Sequence, residues 1–110
     1  MNRRINAKHQ DLYIGLVRVH VLYHAAHEPV FGHGMIEELG RHGYKLGPGT
    51  IYPLLHSMER RGWLKAKPVL VAGRRRKCYL ATRAGKTALN EAIDRVHELI
   101  NEVAGKAGRK

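Results

Sequence analysis

Three histidines, His20, His24 and His27, are spaced i, i+4 and i+7, which aligns them along one face of a helix. Neutral imidazoles one turn apart are a usual ligand arrangement for zinc or another borderline metal. Glu91, Asp94, His97 and Glu98 near the C-terminus would complete such a set if their helix meets the first. The ordinary alternative is that His20 packs in an interface while His24 and His27 face water. A third use, proton sensing, rests on histidine abundance alone. The other concentration of chemistry is cationic. Arg74, Arg75, Arg76 and Lys77 are consecutive, and four like charges repel one another unless an anion faces them. Cys78 is the single cysteine. It excludes an intrachain disulfide framework and favours a reducing, cytoplasmic setting. No nucleophile and base are paired and no glycine loop is built to cradle phosphate, so the sequence argues against an enzyme and requires no cofactor.

The charge balance names the partner class. Twenty Lys and Arg oppose nine Asp and Glu in 110 residues, a formal charge of +11. Such an excess suits a polyanion, most simply nucleic acid. Between Glu59 and Glu91 there is no acid, yet this interval holds Arg60, Arg61, Lys65, Lys67, Arg74, Arg75, Arg76, Lys77, Arg83 and Lys86, half of all the cations. No apolar run is long enough to span a membrane or to form a signal peptide. The ends, residues 1–8 and 105–110, read as frayed basic tails.

Several helices and a hairpin must carry these groups. Residues 9–26 are periodic as a helix, with Leu12, Leu16, Val19, Tyr23 and Ala26 on one stripe and Val17 and Val21 beside it. So wide an apolar face predicts burial on two sides, in part by a second chain. Glu28-Pro29 ends this helix. A second helix follows Phe31-Gly32, with Met35, Ile36 and Leu39 inward, and closes at residues 40–43. In the next segment Ile51, Leu54, Leu55 and Met58 recur at i, i+3, i+4 and i+7. Pro53 fits the first turn of a helix, which predicts a start at Gly49 or Thr50, and Gly62 supplies the stop. Two short helices joined by a tight turn make a helix-turn-helix unit.

After Gly62 the period becomes extended. Residues 63–71 and 76–81 read as two strands around a tip at Ala72-Gly73-Arg74, a two-stranded basic wing. Thr82 is a natural N-cap for a last helix over residues 83–104. There Leu89, Ile93, Val96, Ile100 and Val103 form a short heptad seam suited to a dimer contact. The predicted fold is therefore mainly α with a β wing, a winged helix-turn-helix. Residues 1–82 make the DNA-binding domain and 83–110 a dimerisation helix, within one unit. On the third helix Gly49, Pro53, His56, Ser57 and Arg60 face away from the apolar stripe. Thr50, Tyr52, Pro53, His56, Ser57 and Arg60, with Arg74, Arg75 and Arg76 of the wing, are the candidate contacts to duplex DNA. Thr50 and Tyr52 would bond phosphate, while His56, Ser57 or the Thr50 methyl would read base edges.

The chain resembles the PadR-type transcriptional regulators in their short form, with a single C-terminal helix. The resemblance rests on Glu28-Pro29-Val30-Phe31-Gly32-His33, Gly49-Thr50-Ile51-Tyr52-Pro53-Leu54-Leu55, Met58-Glu59 with Gly62, Arg74 to Tyr79, and Leu80-Ala81-Thr82 with Gly85. It implies a homodimer packed through N- and C-terminal helices, which represses a promoter at a palindromic operator and lets go when an effector binds near the interface. A small organic effector would sit between aromatic residues, with Tyr13 and Tyr23 as candidates; the histidines make a divalent metal the other option. His33 stands where the family commonly has a tyrosine in the helix-turn-helix core, which puts local packing in question. A basic RNA-binding protein is the rival class, disfavoured by the lack of an exposed aromatic platform.

Overall fold

Proline and glycine placement decides where the helices begin and end. In the computed structural model, which describes residues 6–105, a turn of 3-10 helix leads into α1 (Gln10–His27). Glu28 breaks it with a ψ of 161°, the extended backbone that a following proline imposes. β1 (Val30–Phe31), α2 (Gly32–Arg41), α3 (Pro48–Arg60), β2 (Leu64–Val71), β3 (Arg74–Ala81) and α4 (Arg83–Ile100) follow, and a π-helical turn over Asn101–Gly105 continues α4. The basic tails lie mostly outside the described residues.

α3 starts earlier than Pro53 predicts. Gly47 is the N-cap and Pro48 takes the first helical position, where a missing amide hydrogen is harmless. Pro53 therefore lies inside the helix and leaves the Gly49 carbonyl without its i+4 donor. Both residues are exposed, so solvent can take that bond.

The hairpin turns on Ala72 and Gly73, both left-handed with φ of 52° and 77°. That two-residue geometry matches the twist of the flanking strands. The register runs from Val71 opposite Arg74 at the tip to Leu64 opposite Ala81 at the base. The wing is not two-stranded: β1 adds to the free side of β3, with Val30 opposite Tyr79 and Phe31 opposite Cys78. The order β1-β3-β2 leaves β2 at an edge, where Pro68 is tolerated.

Thr82 joins the two halves of the chain. Its hydroxyl accepts from the Gly85 amide at 2.9 Å and donates to the Gly62 carbonyl, and its own amide donates to the Trp63 carbonyl at 3.0 Å. Gly85 passes so close to that carbonyl that a Cβ would overlap it.

The core is built from Val17, Val21, Leu22 and Ala25 of α1, Met35 and Leu39 of α2, Ile51, Leu54, Leu55 and Met58 of α3, and Leu64, Tyr79 and Leu89. The stripe expected on α1 is therefore rotated: Leu12, Leu16 and Tyr23 are exposed, and Val19 and Ala26 are only partly buried. Apolar residues occur around most of α1, so periodicity could not choose the side that α2, β3 and α4 cover. His33 is exposed, beside Glu37 at 3.4 Å, and an absent tyrosine there leaves no hole in the core.

Candidate nucleic-acid interface

Burying Ile51, Leu54, Leu55 and Met58 turns the other side of α3 outward. Tyr52, Pro53, His56 and Arg60 are exposed there, with Thr50 and Ser57 half-buried beside them. Tyr52 is held from below, because its ring lies against Gly32 so closely that any Cβ on that glycine would overlap it. The contact locks the start of α2 to the outer face of α3 and fixes the direction of the phenol.

The wing meets this face at its base. A groove of about 240 Å³ runs between α3 and the sheet, with Tyr52 and His56 on one wall and Arg76, Lys77 and Phe31 on the other. The Arg76 guanidinium stands 5.9 Å from the Phe31 ring centre, and the Lys77 ammonium 6.0 Å from that of Tyr79. Burial, then the nearby Glu59 and Tyr52, push the Tyr79 phenol above its ordinary value, so it is a neutral floor for these cations. Further out, Arg74 and Arg75 are exposed at the tip. Side chains alternate along a strand, which sets Arg74 and Arg76 on one face and Arg75 and Lys77 on the other. Arg75 runs beside Pro68, Val69 and Leu70. Sequence reasoning left out Lys77 and Phe31. Alternation places Lys77 on the Tyr79 side, but only the pairing of β1 with β3 brings Phe31 under Arg76.

The seam on α4 divides in two. Leu89 is buried in the chain's own core, so it is not free to meet a second copy. Val96 is half-buried, while Ile93, Ile100 and Val103 are exposed, joined by Leu99 off the seam. On α1 Leu12 is 72% exposed. α1 and α4 pack together and leave an open cleft of about 820 Å³ lined by Arg18, Leu22, Trp63, Glu91 and Asp94 among others. Arg18 Nε is buried there without a hydrogen-bond partner. Tyr13 and Tyr23 do not line this cleft; Tyr23 packs against His24 and His27 instead.

The histidines regroup as well. His27 leaves the expected set, its Nδ1 lying 2.7 Å from the Tyr23 carbonyl. His20 and His24 are joined by His42, which follows α2, and ligand atoms of the three lie within 4.8 Å of one another. Glu91, Asp94, His97 and Glu98 are not in this group. Tertiary packing of α1 on α2 supplies His42, which no spacing in the sequence could reveal.

Comparison with known proteins agrees with this architecture. The family model for the PadR-like transcriptional regulators matches residues 21–91. The chain is 47% identical over 89 residues to transcriptional regulator Rv3488 of Mycobacterium tuberculosis, which covers 81% of this chain and 83% of that protein. Among solved structures, a PadR family transcriptional regulator from Eggerthella lenta superposes with a TM-score of 0.76 at 28% identity, over 86% of this chain and 84% of the other. A PadR-like transcriptional regulator from Bacillus cereus gives 0.72 at 26% identity, over 84% and 95%.

Proposed function

Because this chain belongs to the PadR-like family of transcriptional regulators, which are not enzymes, we propose that it is a short-form repressor that grips a palindromic DNA duplex as a cytoplasmic homodimer. Two copies pack through α1 and α4, covering Leu12, Ile93, Leu99, Ile100 and Val103. Each copy lays α3 in a major groove, the two about 34 Å and roughly 10 base pairs apart, with its wing alongside. Thr50 and Tyr52 hold phosphate near the helix N-terminus. His56 and Ser57 face base edges, Arg60 steadies the backbone, and Arg74, Arg75 and Arg76 flank the site.

The observation that carries this reading is the shared groove, which Tyr52 and His56 of α3 line together with Arg76 and Lys77 of the wing. Release follows when a small organic effector enters the cleft between α1 and α4, where the Arg18 guanidinium on the wall favours an acceptor group. Such a ligand would alter the angle between the two copies.

The test is a titration of a palindromic duplex and a structured RNA against salt. Neutralising about eight phosphates gives a slope of log affinity on log salt near −7. Replacing Arg74, Arg75 and Arg76 with alanine in both copies should bring that slope about 5 closer to zero. A flat salt dependence, or tighter binding of the RNA than of the duplex, overturns the reading.

A further inference from the structure

We infer that His20, His24, His42 and Glu38 form a binding site for a divalent cation of the zinc class, tying α1 to the turn that leads into α3. His20 and His24 lie one turn apart on α1, and His42 caps the C-terminal end of α2. The Glu38 carboxylate stands beside two of the rings, just outside the group of three: its Oε2 is 3.4 Å from His24 Nε2 and 3.1 Å from His42 Nε2, within reach as a fourth donor. Its other oxygen accepts from Arg41 Nη2 at 2.7 Å, which orients the carboxylate to offer one atom to the cluster. His20 and His42 stack with ring centres 4.7 Å apart.

The donor set is three imidazoles and one carboxylate oxygen. It contains no thiolate, since Cys78 is buried in the sheet, and such nitrogen-rich sets suit zinc, cobalt or nickel. Tetrahedral zinc holds nitrogens at about 2.0–2.1 Å, so ligand atoms end about 3.3 Å apart. Rotation of side chains covers the difference from 4.8 Å without moving either helix.

A cation here would fix the turn from His42 to Leu46 against α1, and with it the angle of α3 on the dimer helices. This consequence, regulation of duplex affinity by metal, rests on the DNA-binding reading above; the site itself does not.

Purified full-length protein, stripped with chelator, is titrated with cobalt(II), whose tetrahedral complexes absorb visible light far more strongly than the aqueous ion. Saturation at one cobalt per chain, bleached by zinc, is the expected result. His42→Ala and Glu38→Gln, both at the protein surface, should each weaken binding at least about tenfold with unchanged circular dichroism, and His27→Ala should bind as the wild type does. No saturable band, or equal cobalt affinity in His42→Ala, overturns the site. Zinc should shift the duplex affinity of the wild type and leave that of His42→Ala unmoved. An unshifted duplex affinity with cobalt bound overturns the regulatory consequence alone. Failure to hold duplex with or without metal overturns the DNA-binding reading, and the cobalt spectrum then still decides the site.

Discussion

The two exposed sides of this molecule are unfinished in different ways. On the α3 and wing side most exposed groups are polar or cationic, with Leu70 and Val71 near the wing tip as the apolar exceptions, and the stripe beneath α3 is fully buried in Ile51, Leu55 and Met58. That surface is stable in water as it stands. On the α1 and α4 side Leu12, Leu16, Ile93, Leu99, Ile100 and Val103 are exposed among the charged groups, a number of large apolar side chains that a second surface would cover. Exposed charge costs little and waits for a polyanion; exposed hydrocarbon is favourably removed from water by a second surface of the same kind. On the function proposed above, one side binds the polyanion and the other is half of an interface.

Placing charge in the second side is the most direct way to break this comparison. Ile93→Glu together with Ile100→Glu leaves the fold of a single chain intact, because both side chains already face water. Sedimentation should then read the mass of one chain at micromolar concentration. Affinity for a palindromic duplex should fall by about 10²–10⁴, the advantage lost when two linked reading heads become independent. A dimer that survives both glutamates would show that the exposed hydrocarbon is not the interface. The seam residue one turn earlier gives the contrast. Leu89→Ala opens a cavity inside the chain and should cost about 2–5 kcal/mol in urea denaturation, while the dimer mass remains. If it instead splits the dimer without changing the denaturation midpoint, Leu89 belongs to the interface after all.

The sequence made the first side far more legible than the second. On α3 the apolar residues repeat on one stripe and the polar ones on the other, so the outward set followed from periodicity, and only the helix start was displaced, by Pro48. The Thr82 cap and the hairpin tip were equally local signals. α1 offered no such contrast, because a helix apolar around most of its circumference has no direction to read. β1 has two residues, too few for a period, and exists only because β3 lends it hydrogen bonds. His42 is distant in sequence from His20 and His24 and joins them through helix packing, whereas the correct spacing of His27 was no guide to where its ring turned.

The joint between the sides is a smaller test. Thr82 caps α4 and at the same time holds the Gly62 carbonyl at the end of α3. Thr82→Ala should therefore lower stability by about 1 kcal/mol, and Thr82→Ser, which keeps the oxygen, should restore most of it. An alanine variant as stable as the wild type would mean that the halves are held by packing at Gly85 and Trp63 rather than by this hydroxyl.

The smallest effect lies in the histidine cluster, where the two sides meet. His20 is held below its ordinary value of 6.5 by burial first, then by His42 and His24, while Glu38 opposes the shift; the Tyr44 ring also packs on it. As pH falls through 6.5 the unfolded chain takes up a proton at His20 before the folded chain does, so unfolding gains. Stability should therefore decline between 6.5 and the lower folded value, and the decline ends once both states are protonated. Glu38 acts in a separate window. Its hydrogen bond from Arg41 is the largest cause of a pKa below the ordinary 4.5, so its contribution is present above 4.5 and is lost as pH falls through the depressed value. Melting temperatures measured against pH in chelating buffer should show the first decline in the wild type and a flatter profile in His20→Asn. A wild-type profile that is level or rising on acidification through that first window would mean that the cluster accepts protons as readily folded as unfolded. The boundary between the two sides would then be open to water rather than packed.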